Sequence, residues 1–592
     1  MTTKFFDYVI VGAGTSGLVL ASRLSEDPSI TVAVIEAGVN AENDPRVAML
    51  GLFTSAVGSQ LDWDFEGTPQ SALNGRRISQ AQDKLLGGSG SINAQALISF
   101  SKFDIDSWEE LGNIGWNWDS LSPYLKKAFT IDLPDEQTVE HLGIEWAEQL
   151  ADTYHGPVNA SFVDVKENPV GEAWLDAFEH LGFSLSGNPF GGRSTGAYNG
   201  ASTINAATKS RSSASSAYYN HLPERDNVEP RTPHPAVKGI NVLRSGTSST
   251  LHARKEVILS SGVVNTPKLL ELSGIGDAEL LEKLGIDVLV DNPNVGRNLQ
   301  DHILCSINFE AQDGIPTGDD LTRGDPAALQ SAMEMYQKYQ AGPFATPGIT
   351  SFGYLPPVEF KKEPQAFAAA LETLNESVAG ESTMDAARRT HVRSINKTET
   401  EGTSQYFLFM AQAGPAGKDT VGSFSIEPQP GNYISLVSAL SHPLSAGTTH
   451  IASADVNEKP IIDHRYLQHP LDLEFHARHV QYLETVAATE PFASLLKSNG
   501  RRNDPQAFVG GDLEKTKTYV RNMSTTNWHS CGTCAMAPRD KGGVVDAELR
   551  VFGVDGLRIV DASVFPFIPQ SNLLSLVYAV AERAGDIIKA DN

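Results

Sequence analysis

The sequence predicts an α/β protein whose first domain is a Rossmann-like nucleotide-binding domain. The apolar residues 8–11 run directly into GAGTSG at residues 12–17, which is a G-x-G-x-x-G turn. A second apolar run at residues 31–35 ends at Glu36, which lies where a carboxylate would accept hydrogen bonds from an adenosine ribose. A strand, a glycine turn, a helix, a second strand and an acid in this order are typical of a dinucleotide site.

Each glycine of the turn has a separate physical reason. Gly12 allows the tight turn, Gly14 lets the backbone approach a pyrophosphate, and Gly17 allows helix and strand to pack closely. Thr15 and Ser16 then open the helix, whose N-terminus favours an anion.

Composition limits the class of protein. The chain has 592 residues, of which 40% are hydrophobic and 20% are charged. A chain of this length is too long to fold around one compact core, so we expect two domains. The net charge of −26 disfavours a nucleic-acid partner. No apolar run approaches the roughly 20 residues that a membrane span needs. We expect no signal peptide at the N-terminus, because a basic region and an apolar segment do not precede the first strand. Three cysteines are too few for the disulfide framework of a secreted protein. We expect an intracellular, cytoplasmic protein with no membrane partner.

Later segments indicate that the nucleotide-binding domain is discontinuous. Residues 256–262 and 557–563 both resemble a buried strand that enters a small-residue turn, whereas residues 433–440 and 447–452 fit an antiparallel sheet. We therefore expect a substrate-binding domain of the α+β type with an antiparallel sheet beside the first domain. The predicted boundaries are 1–155, 205–308 and 524–592 for the nucleotide-binding domain, and 156–204 and 309–523 for the substrate-binding domain.

Chemistry is predicted near the C-terminus, in NWHSCGTCAM at residues 527–536. A histidine beside a small-residue turn suits a general base, since its unperturbed pKa is about 6.5. The alternatives are a structural role for His529, a zinc site of His529 with Cys531 and Cys534, and a redox C-x-x-C. Because a fourth ligand and a thioredoxin-like context are missing from the sequence, we predict no metal.

Several motifs together resemble the glucose-methanol-choline (GMC) oxidoreductases, FAD enzymes that oxidise alcohols. Besides GAGTSG, the resemblance rests on motifs spread over nearly the whole length: LLGGSGSIN at 85–93, NTPKLLELSGIG at 265–276, NVGRNLQDH at 294–302, SHPLSAGT at 441–448, HSCGTCAM at 529–536 and IVDASVFPFIP at 559–569.

The resemblance implies site residues. His529 matches the family's catalytic histidine, and Asn572 falls where the family has a histidine or an asparagine. Ile92 stands where members with covalent flavin carry a histidine, so non-covalent FAD is implied. Leu97 and Trp528 are the expected substrate-pocket residues. The expected cofactor-binding residues are Gly12, Gly14, Thr15, Ser16, Gly17, Glu36, Ala37, Ser89, Asn93, Ala94, Gln95, Ala96, Ala562, Leu573 and Leu574.

Three departures from the family pattern accompany the resemblance. The strand pair that usually follows Arg-Ser-Ser at residues 211–213 is shortened in the proline-rich residues 227–239, so part of the adenine-side contact is expected to be missing or rebuilt. Asp83 replaces a small residue, and Leu97 replaces an aromatic residue that often faces the substrate.

The leading hypothesis is oxidation of a small primary alcohol, an aryl or furan-type alcohol being favoured, to an aldehyde. The resemblance implies hydride transfer to flavin N5 with His529 as base, Asn572 as hydrogen-bond donor, and oxygen or another electron acceptor as the second partner. Two alternatives stay open: a non-redox lyase or cyclase on the same FAD fold, and a binding or scaffold protein that has lost its cofactor.

Overall fold

Two six-stranded sheets organise the chain. The computed structural model describes residues 5–163, 168–185, 187–224, 228–230, 239–244, 247–375, 380–414, 428–502 and 504–591. Each sheet carries one end of the candidate site described below, and the two are called here the first and the second sheet.

The first sheet is mostly parallel and is assembled from early, middle and late segments, as the sequence predicts. Its strands are, in order, Val228–Pro230, Val32–Ile35, Phe5–Val11, Thr247–Leu259 and Gly239–Arg244, with Leu557–Ile559 also beside Thr247–Leu259. Only the pairing of Gly239–Arg244 with Thr247–Leu259 is antiparallel. The predicted apolar run forms the central strand Phe5–Val11. Residues 8–10 of this strand are buried, as expected for a strand that is covered on both faces of its sheet.

The glycine turn brings strand and helix into direct contact. Gly12 has φ +102°, and a Cβ on Gly17 would lie 2.0 Å from the carbonyl oxygen of Gly12. The helix Thr15–Leu24 therefore packs on the strand more closely than any side chain at residue 17 would allow. Gly17 serves this packing, as the spacing predicts.

The last helix of the chain, Leu574–Asp591, covers the first one. Both helices belong to the larger hydrophobic core, and Arg23 forms an ion pair of 2.7 Å with the fully buried Glu582. The hydroxyl of Tyr218 donates to the same carboxylate at 2.7 Å. The two ends of the chain are thus joined by one core and one buried ion pair.

The second sheet is antiparallel and begins beside residues that close the candidate site. Its strands are, in order, Thr525–Thr526, Ile303–Glu310, Tyr433–Leu440, Ser404–Phe409, Ser351–Leu355 and Gly196–Asn199. The helix Pro470–Ala487 packs on this sheet and forms a second core with it. The strand Ile303–Glu310 lies wholly in this sheet, so the predicted boundary at residue 308 falls inside one strand.

The run at residues 447–452 forms an antiparallel strand, as expected, but not in the second sheet. It forms the strand Gly447–His450 in a separate three-stranded sheet with Arg297–Leu299 and Ile461–Asp463. The alternation of its side chains predicts a strand but does not specify which neighbour it pairs with.

The remaining strands form small sheets. They are Phe129–Asp132, Val158–Ser161, Ala201–Ser202 and Ala96–Leu97 in one sheet of four, and the pairs Phe65–Glu66 with Ser79–Gln80, Ile204–Asn205 with Ser210–Arg211, and Ile275–Gly276 with Val290–Asp291. The other α-helices are Pro45–Ala48, Lys102–Leu111, Trp118–Leu121, Pro123–Ala128, Glu136–Leu142, Glu148–Ala151, Val170–His180, Ala214–Ala217, Gly262–Leu272, Ala278–Lys283, Asp319–Thr322, Pro326–Tyr339, Val358–Lys361, Pro364–Thr373, Thr383–Lys397 and Leu513–Met523.

The predicted weak point on the adenine side is only partly visible. Residues 225–227 and 231–238 lie outside the described residues, and so does most of the predicted departure. Between them, Val228–Pro230 adds a strand in parallel to Val32–Ile35 at the edge of the first sheet. Within the described ranges, no helix has the length and apolarity needed to cross a membrane.

We predict that Gly17→Ala and Gly14→Ala have different effects on the stability of the cofactor-free protein. Gly17→Ala forces a methyl group onto backbone and should lower the free energy of unfolding by about 1–3 kcal/mol. A Cβ on Gly14 would meet its nearest atom, the Cα of Gly88, at an ordinary 3.7 Å. Gly14→Ala should therefore cost less than about 1 kcal/mol. Denaturant unfolding measures both, and equal losses would contradict the packing argument.

Candidate active site

A single large cavity runs from the glycine turn to the predicted catalytic histidine. Its volume is about 2280 Å³, roughly twice the upper end of the range that drug-sized ligands occupy. The walls come from the carboxyl ends of first-sheet strands, from residues 80–96 and from residues 527–530. The cavity has room for a dinucleotide together with a second, small molecule.

Most of the predicted site residues line this cavity. They are Gly12, Gly14, Thr15, Ser16, Glu36, Ala37, Ser89, Asn93, Ala94, Gln95, Ala96, Trp528, His529, Ala562, Asn572, Leu573 and Leu574. Residues that are far apart in the chain therefore meet around one space, as the predicted set requires.

Two predicted residues do not line the cavity. Gly17 lies behind the turn, where it serves the packing of helix on strand. Leu97 is fully buried in the larger core and pairs with Ala201 in a small sheet. The expectation that Leu97 faces the substrate is wrong in this structure, because alternation along the strand turns its side chain away from the neighbouring cavity residue Ala96.

At the nucleotide end, two glycine segments touch through their backbones. A Cβ on Gly88 would lie 2.6 Å from the Cα of Gly14, and a Cβ on Gly90 would lie 2.9 Å from Oγ1 of Thr15. The helix that starts at Thr15 has no acidic residue in its first turn. Its backbone N–H groups and its dipole therefore remain available to an anion in the cavity.

Glu36 organises the loops at the same end. Its carboxylate accepts the N–H of Ala13 at 2.9 Å with one oxygen and the N–H of Gly38 at 2.7 Å with the other. Burial raises the pKa of Glu36, and these backbone N–H groups oppose that rise. Each oxygen keeps a further lone pair, so the carboxylate still can accept hydrogen bonds from ligand hydroxyls.

At the other end, His529 is positioned by the edge of the second sheet. Thr526 pairs with Ile303, and the backbone N–H of His529 donates to the buried carboxylate of Asp301 at 2.8 Å. Thr526 also donates to Asp301 through its hydroxyl, at 2.6 Å. Burial raises the pKa of Asp301 to about 6. The backbone position of His529 thus depends on this carboxylate.

The tautomer of His529 follows from its neighbour His302. Nε2 of His302 lies 2.9 Å from the carbonyl oxygen of Pro569, which only accepts, so this nitrogen carries the proton. Nδ1 of His302 is then an acceptor, and it lies 2.9 Å from Nδ1 of His529. His529 must donate from Nδ1, which leaves its Nε2 unprotonated. No hydrogen bond to another described residue occupies that Nε2.

One further amide lies near this pair. Nδ2 of Asn527 is 3.2 Å from Nδ1 of His529. Because amide oxygen and nitrogen are assigned from the network, the tautomer above places the Asn527 oxygen toward the protonated Nδ1.

Burial also determines the charge of His529. Its side chain is partly exposed within the cavity wall, yet the surrounding protein disfavours the imidazolium and lowers the pKa to about 3. The pKa of His302 is lowered well below its usual value, first by burial and then by His529. Both rings are therefore neutral at physiological pH.

Asn572 is oriented by a residue of the second sheet. Nε2 of Gln405 donates to Oδ1 of Asn572 at 2.8 Å and to the hydroxyl of the buried Tyr354 at 2.7 Å. With its oxygen occupied in this way, Asn572 presents its amide N–H₂ as the group available to a ligand. The cavity thus offers one acceptor, on His529, and one donor, on Asn572.

Two cavity residues hold an unusual backbone conformation. Gln95 has φ +61° and Trp528 has φ +54°, a region that residues other than glycine rarely adopt. Both line the cavity. Such strain persists where the surrounding structure imposes it, and it is most common at functional sites.

The zinc alternative of the sequence is not supported. Cys531 and Cys534 are buried free thiols, and Nδ1 of His529 is used by His302. Among the residues that the structure describes, these three do not form a group whose ligand atoms converge.

Sequence reasoning missed three residues of this site. Asp301 and His302 end the motif at residues 294–302, to which the sequence analysis assigns no individual roles. An acid directly before a histidine is the local pattern that could have indicated a functional pair. Gln405 carries no local signal, since it is one residue of an ordinary buried strand.

A nucleotide cradle at one end of the cavity and a neutral histidine with an amide at the other define a dinucleotide-dependent enzyme. Residues 6–304 and 443–581 match the N- and C-terminal models of the GMC oxidoreductases. The chain belongs to the GMC oxidoreductase family.

Similar proteins agree with this assignment. The chain is 33% identical to the GMC oxidoreductase family protein Mala s 12 of Malassezia sympodialis, over 99% of this chain and 92% of that protein. Among solved structures, an FAD-dependent oxidoreductase from Chaetomium thermophilum has a TM-score of 0.86 at 28% identity, with 99% of both chains covered. A formate oxidase (TM-score 0.84, 26% identity) and a fungal aryl-alcohol oxidase (0.80, 25%) each match over at least 99% of both chains.

The residues present fit FAD, the cofactor of this family. At the nucleotide end the glycine segments present backbone rather than side chains to a ligand. Each carboxylate oxygen of Glu36 has a further lone pair that can accept a hydrogen bond from the ligand. Within the described residues, the buried side-chain atoms Oε1 of Gln95 and Oγ of Ser260 lack a partner, and both residues line the cavity. The hypothesis of a cofactor-free scaffold is therefore not supported.

We predict that Glu36→Ala lowers the affinity for FAD by about 10- to 100-fold. The change removes the carboxylate that is available to the ligand hydroxyls, and a hydrogen bond to a charged group contributes about 1.5–3 kcal/mol. Titration of the cofactor-free protein with FAD, followed by flavin fluorescence, gives the dissociation constant. Glu42→Ala is the control because Glu42 lies outside the cavity lining and hydrogen-bonds Asn220 instead. An unchanged affinity in Glu36→Ala would contradict the proposed role.

Proposed function

We propose that this chain oxidises a small primary alcohol to an aldehyde with non-covalently bound FAD. His529 is the general base, and Asn572 is the hydrogen-bond donor to the alcohol oxygen. The observation that carries the proposal is the hydrogen-bond chain from Pro569 through His302 to His529, because it leaves Nε2 of His529 free to take a proton.

The residues divide the work of the reaction. Flavin supplies a hydride acceptor at N5 when FAD is bound. Nε2 of His529 accepts the hydroxyl proton, and the resulting imidazolium still donates from Nδ1 to His302. The amide of Asn572 donates to the oxygen as negative charge develops there. Because an amide does not titrate, one base and one donor remain over the whole working range of pH.

Three contacts hold this geometry before substrate arrives. Asp301 fixes the backbone of His529, His302 fixes its tautomer, and Gln405 fixes the amide of Asn572. Positioned groups of this kind avoid reorganisation when the proton leaves the alcohol oxygen and the hydride leaves the alcohol carbon.

The lining of the cavity supports an aryl or furan-type alcohol. Besides Trp528, the rings of Phe53, Trp63 and Phe65 line it, together with Ile349. Flat apolar surfaces of this kind bind an aromatic ring and exclude water. The similarity to an aryl-alcohol oxidase supports the same class of substrate.

We predict that His529→Ala slows flavin reduction by about 10²- to 10⁴-fold, the usual contribution of a positioned base. Anaerobic mixing of the FAD-loaded protein with a panel of aryl and aliphatic alcohols, followed at the flavin absorption band, measures the rate. His476→Ala is the control because it removes a fully buried imidazole that lies outside the cavity lining.

Two outcomes would contradict this proposal. If His529→Ala bleached the flavin at the parent rate, His529 would not be the base. If the parent converted an alcohol without reducing its flavin, the lyase or cyclase alternative would hold.

We predict that the rate of flavin reduction is flat between pH 8 and about pH 5. Since burial lowers the pKa of His529 to about 3, the ring stays neutral and able to accept a proton throughout this range. The rate should fall only as pH approaches that lowered pKa. Stopped-flow measurements across the range are the test. A decline centred near pH 6 would contradict the prediction, whether it came from an imidazole with an ordinary pKa or from Asp301, whose pKa burial raises to about 6.

A further inference from the structure

A second cluster of chemically active side chains lies behind the active site. Asp104 comes from the helix Lys102–Leu111, His391 from the helix Thr383–Lys397, and His442 from the turn after the strand Tyr433–Leu440. All three are buried, and one candidate ligand atom from each lies within 4.8 Å of the other two. The described part of the chain contains no other such group of three.

The spacing of these atoms suits one shared metal ion. Oδ1 of Asp104 lies 2.9 Å from Nε2 of His442 and 3.7 Å from Nε2 of His391. Two ligands bound tetrahedrally to zinc at its usual bond lengths lie about 3.4 Å apart. The two measured distances lie on either side of this value, so small side-chain shifts would close the site.

Two nitrogens of the cluster lack a partner among the described residues, Nε2 of His391 and Nδ1 of His442. Nε2 of His391 has no hydrogen bond to any described residue, and 3.7 Å is too long for one to Asp104. Buried polar atoms are normally satisfied, so a partner is missing at this point. The ring of His391 stacks on Phe567 with centroids 4.8 Å apart and an angle of 11°, which fixes its plane and keeps Nε2 directed at the cluster.

The local charge favours a cation. Within the described ranges Asp104 forms no ion pair with lysine or arginine, and its ion-pair contacts are the two histidines. Glu401 lies close enough to Asp104 that burial together with this charge raises its pKa to about 7. A cation at this cluster would meet a carboxylate that is not paired with any lysine or arginine of the described residues.

We propose that Asp104, His391 and His442 bind a Zn²⁺ ion, with a water molecule as the fourth ligand. Two imidazoles and one carboxylate hold zinc in known sites that keep a water molecule as the fourth ligand, and a tetrahedral ion suits three convergent protein ligands. The proposal assigns no chemical step to this ion.

The ion would hold the segment behind the catalytic residues. The second oxygen of Asp104 accepts the N–H of Gln570 at 2.7 Å, and Phe567 stacks on His391. Between them, Pro569 accepts the proton of His302 that sets the tautomer of His529. The proposed site therefore joins two helices and one turn to residues 567–570.

Metal analysis of the FAD-loaded protein tests the proposal. The protein is incubated with Zn²⁺, passed through a desalting column in metal-free buffer, and its zinc is measured by mass spectrometry. We expect about one zinc ion per chain in the parent, and a loss of zinc affinity of at least about tenfold in His391→Gln. His476→Gln is the matched control because it removes another buried imidazole, and both nitrogens of His476 lack partners within the described residues.

Zinc-edge X-ray absorption of the parent gives a second measurement that needs no variant. It should show two imidazole nitrogens and oxygen ligands at about 2.0–2.2 Å. The proposal is overturned if the loaded parent retains almost no zinc, if His391→Gln retains as much as the parent, or if sulfur appears among the ligands. Retention of iron in preference to zinc would overturn the choice of ion.

Discussion

The catalytic arrangement depends on one short antiparallel pairing at the edge of the second sheet. Thr525–Thr526 lies against Ile303–Leu304, and this places His302 and His529, which are 227 residues apart in sequence, side by side. The carboxylate of Asp301 then accepts a hydrogen bond from the backbone N–H of His529. If this pairing shifted by one residue, the side chains would exchange faces and the two rings would no longer meet.

This edge also explains why His529 is neutral. Two imidazoles in contact cannot both be charged at low cost, and burial penalises the charged form of each. The carbonyl oxygen of Pro569 fixes the direction of both protons, because it accepts and cannot donate. A chain of three groups, none of which is charged, thus gives His529 a single tautomer.

The sequence predicts the nucleotide end of the site far better than the catalytic end. Gly12, Gly14 and Glu36 line the cavity as their local spacing predicts, whereas Gly17 serves the packing of helix on strand. His529 and Asn572 could be assigned through the family resemblance, and both line the cavity. The expectation for Leu97 was wrong because which face of a short strand is buried depends on the whole fold, here on its pairing with Ala201.

Residues that act through other residues could not be predicted. Gln405 orients Asn572 from a strand 167 positions away, and Asp104, His391 and His442 come from three separate segments. The run at 447–452 shows the same limit for the fold, since its pattern predicts a strand but not its partner. Pairing over long sequence distances is decided by packing, which no local pattern contains.

The contact between the first and last helices has a consequence for the order of folding. The helix Thr15–Leu24 is covered by Leu574–Asp591, and Arg23 pairs with Glu582. During synthesis the first strand and helix emerge long before the residues that cover them. The apolar face of the first helix must therefore stay uncovered, or be shielded by a chaperone, until nearly the whole chain has left the ribosome. The nucleotide-binding fold, although it starts at the first strand, is among the last parts of the molecule to be completed.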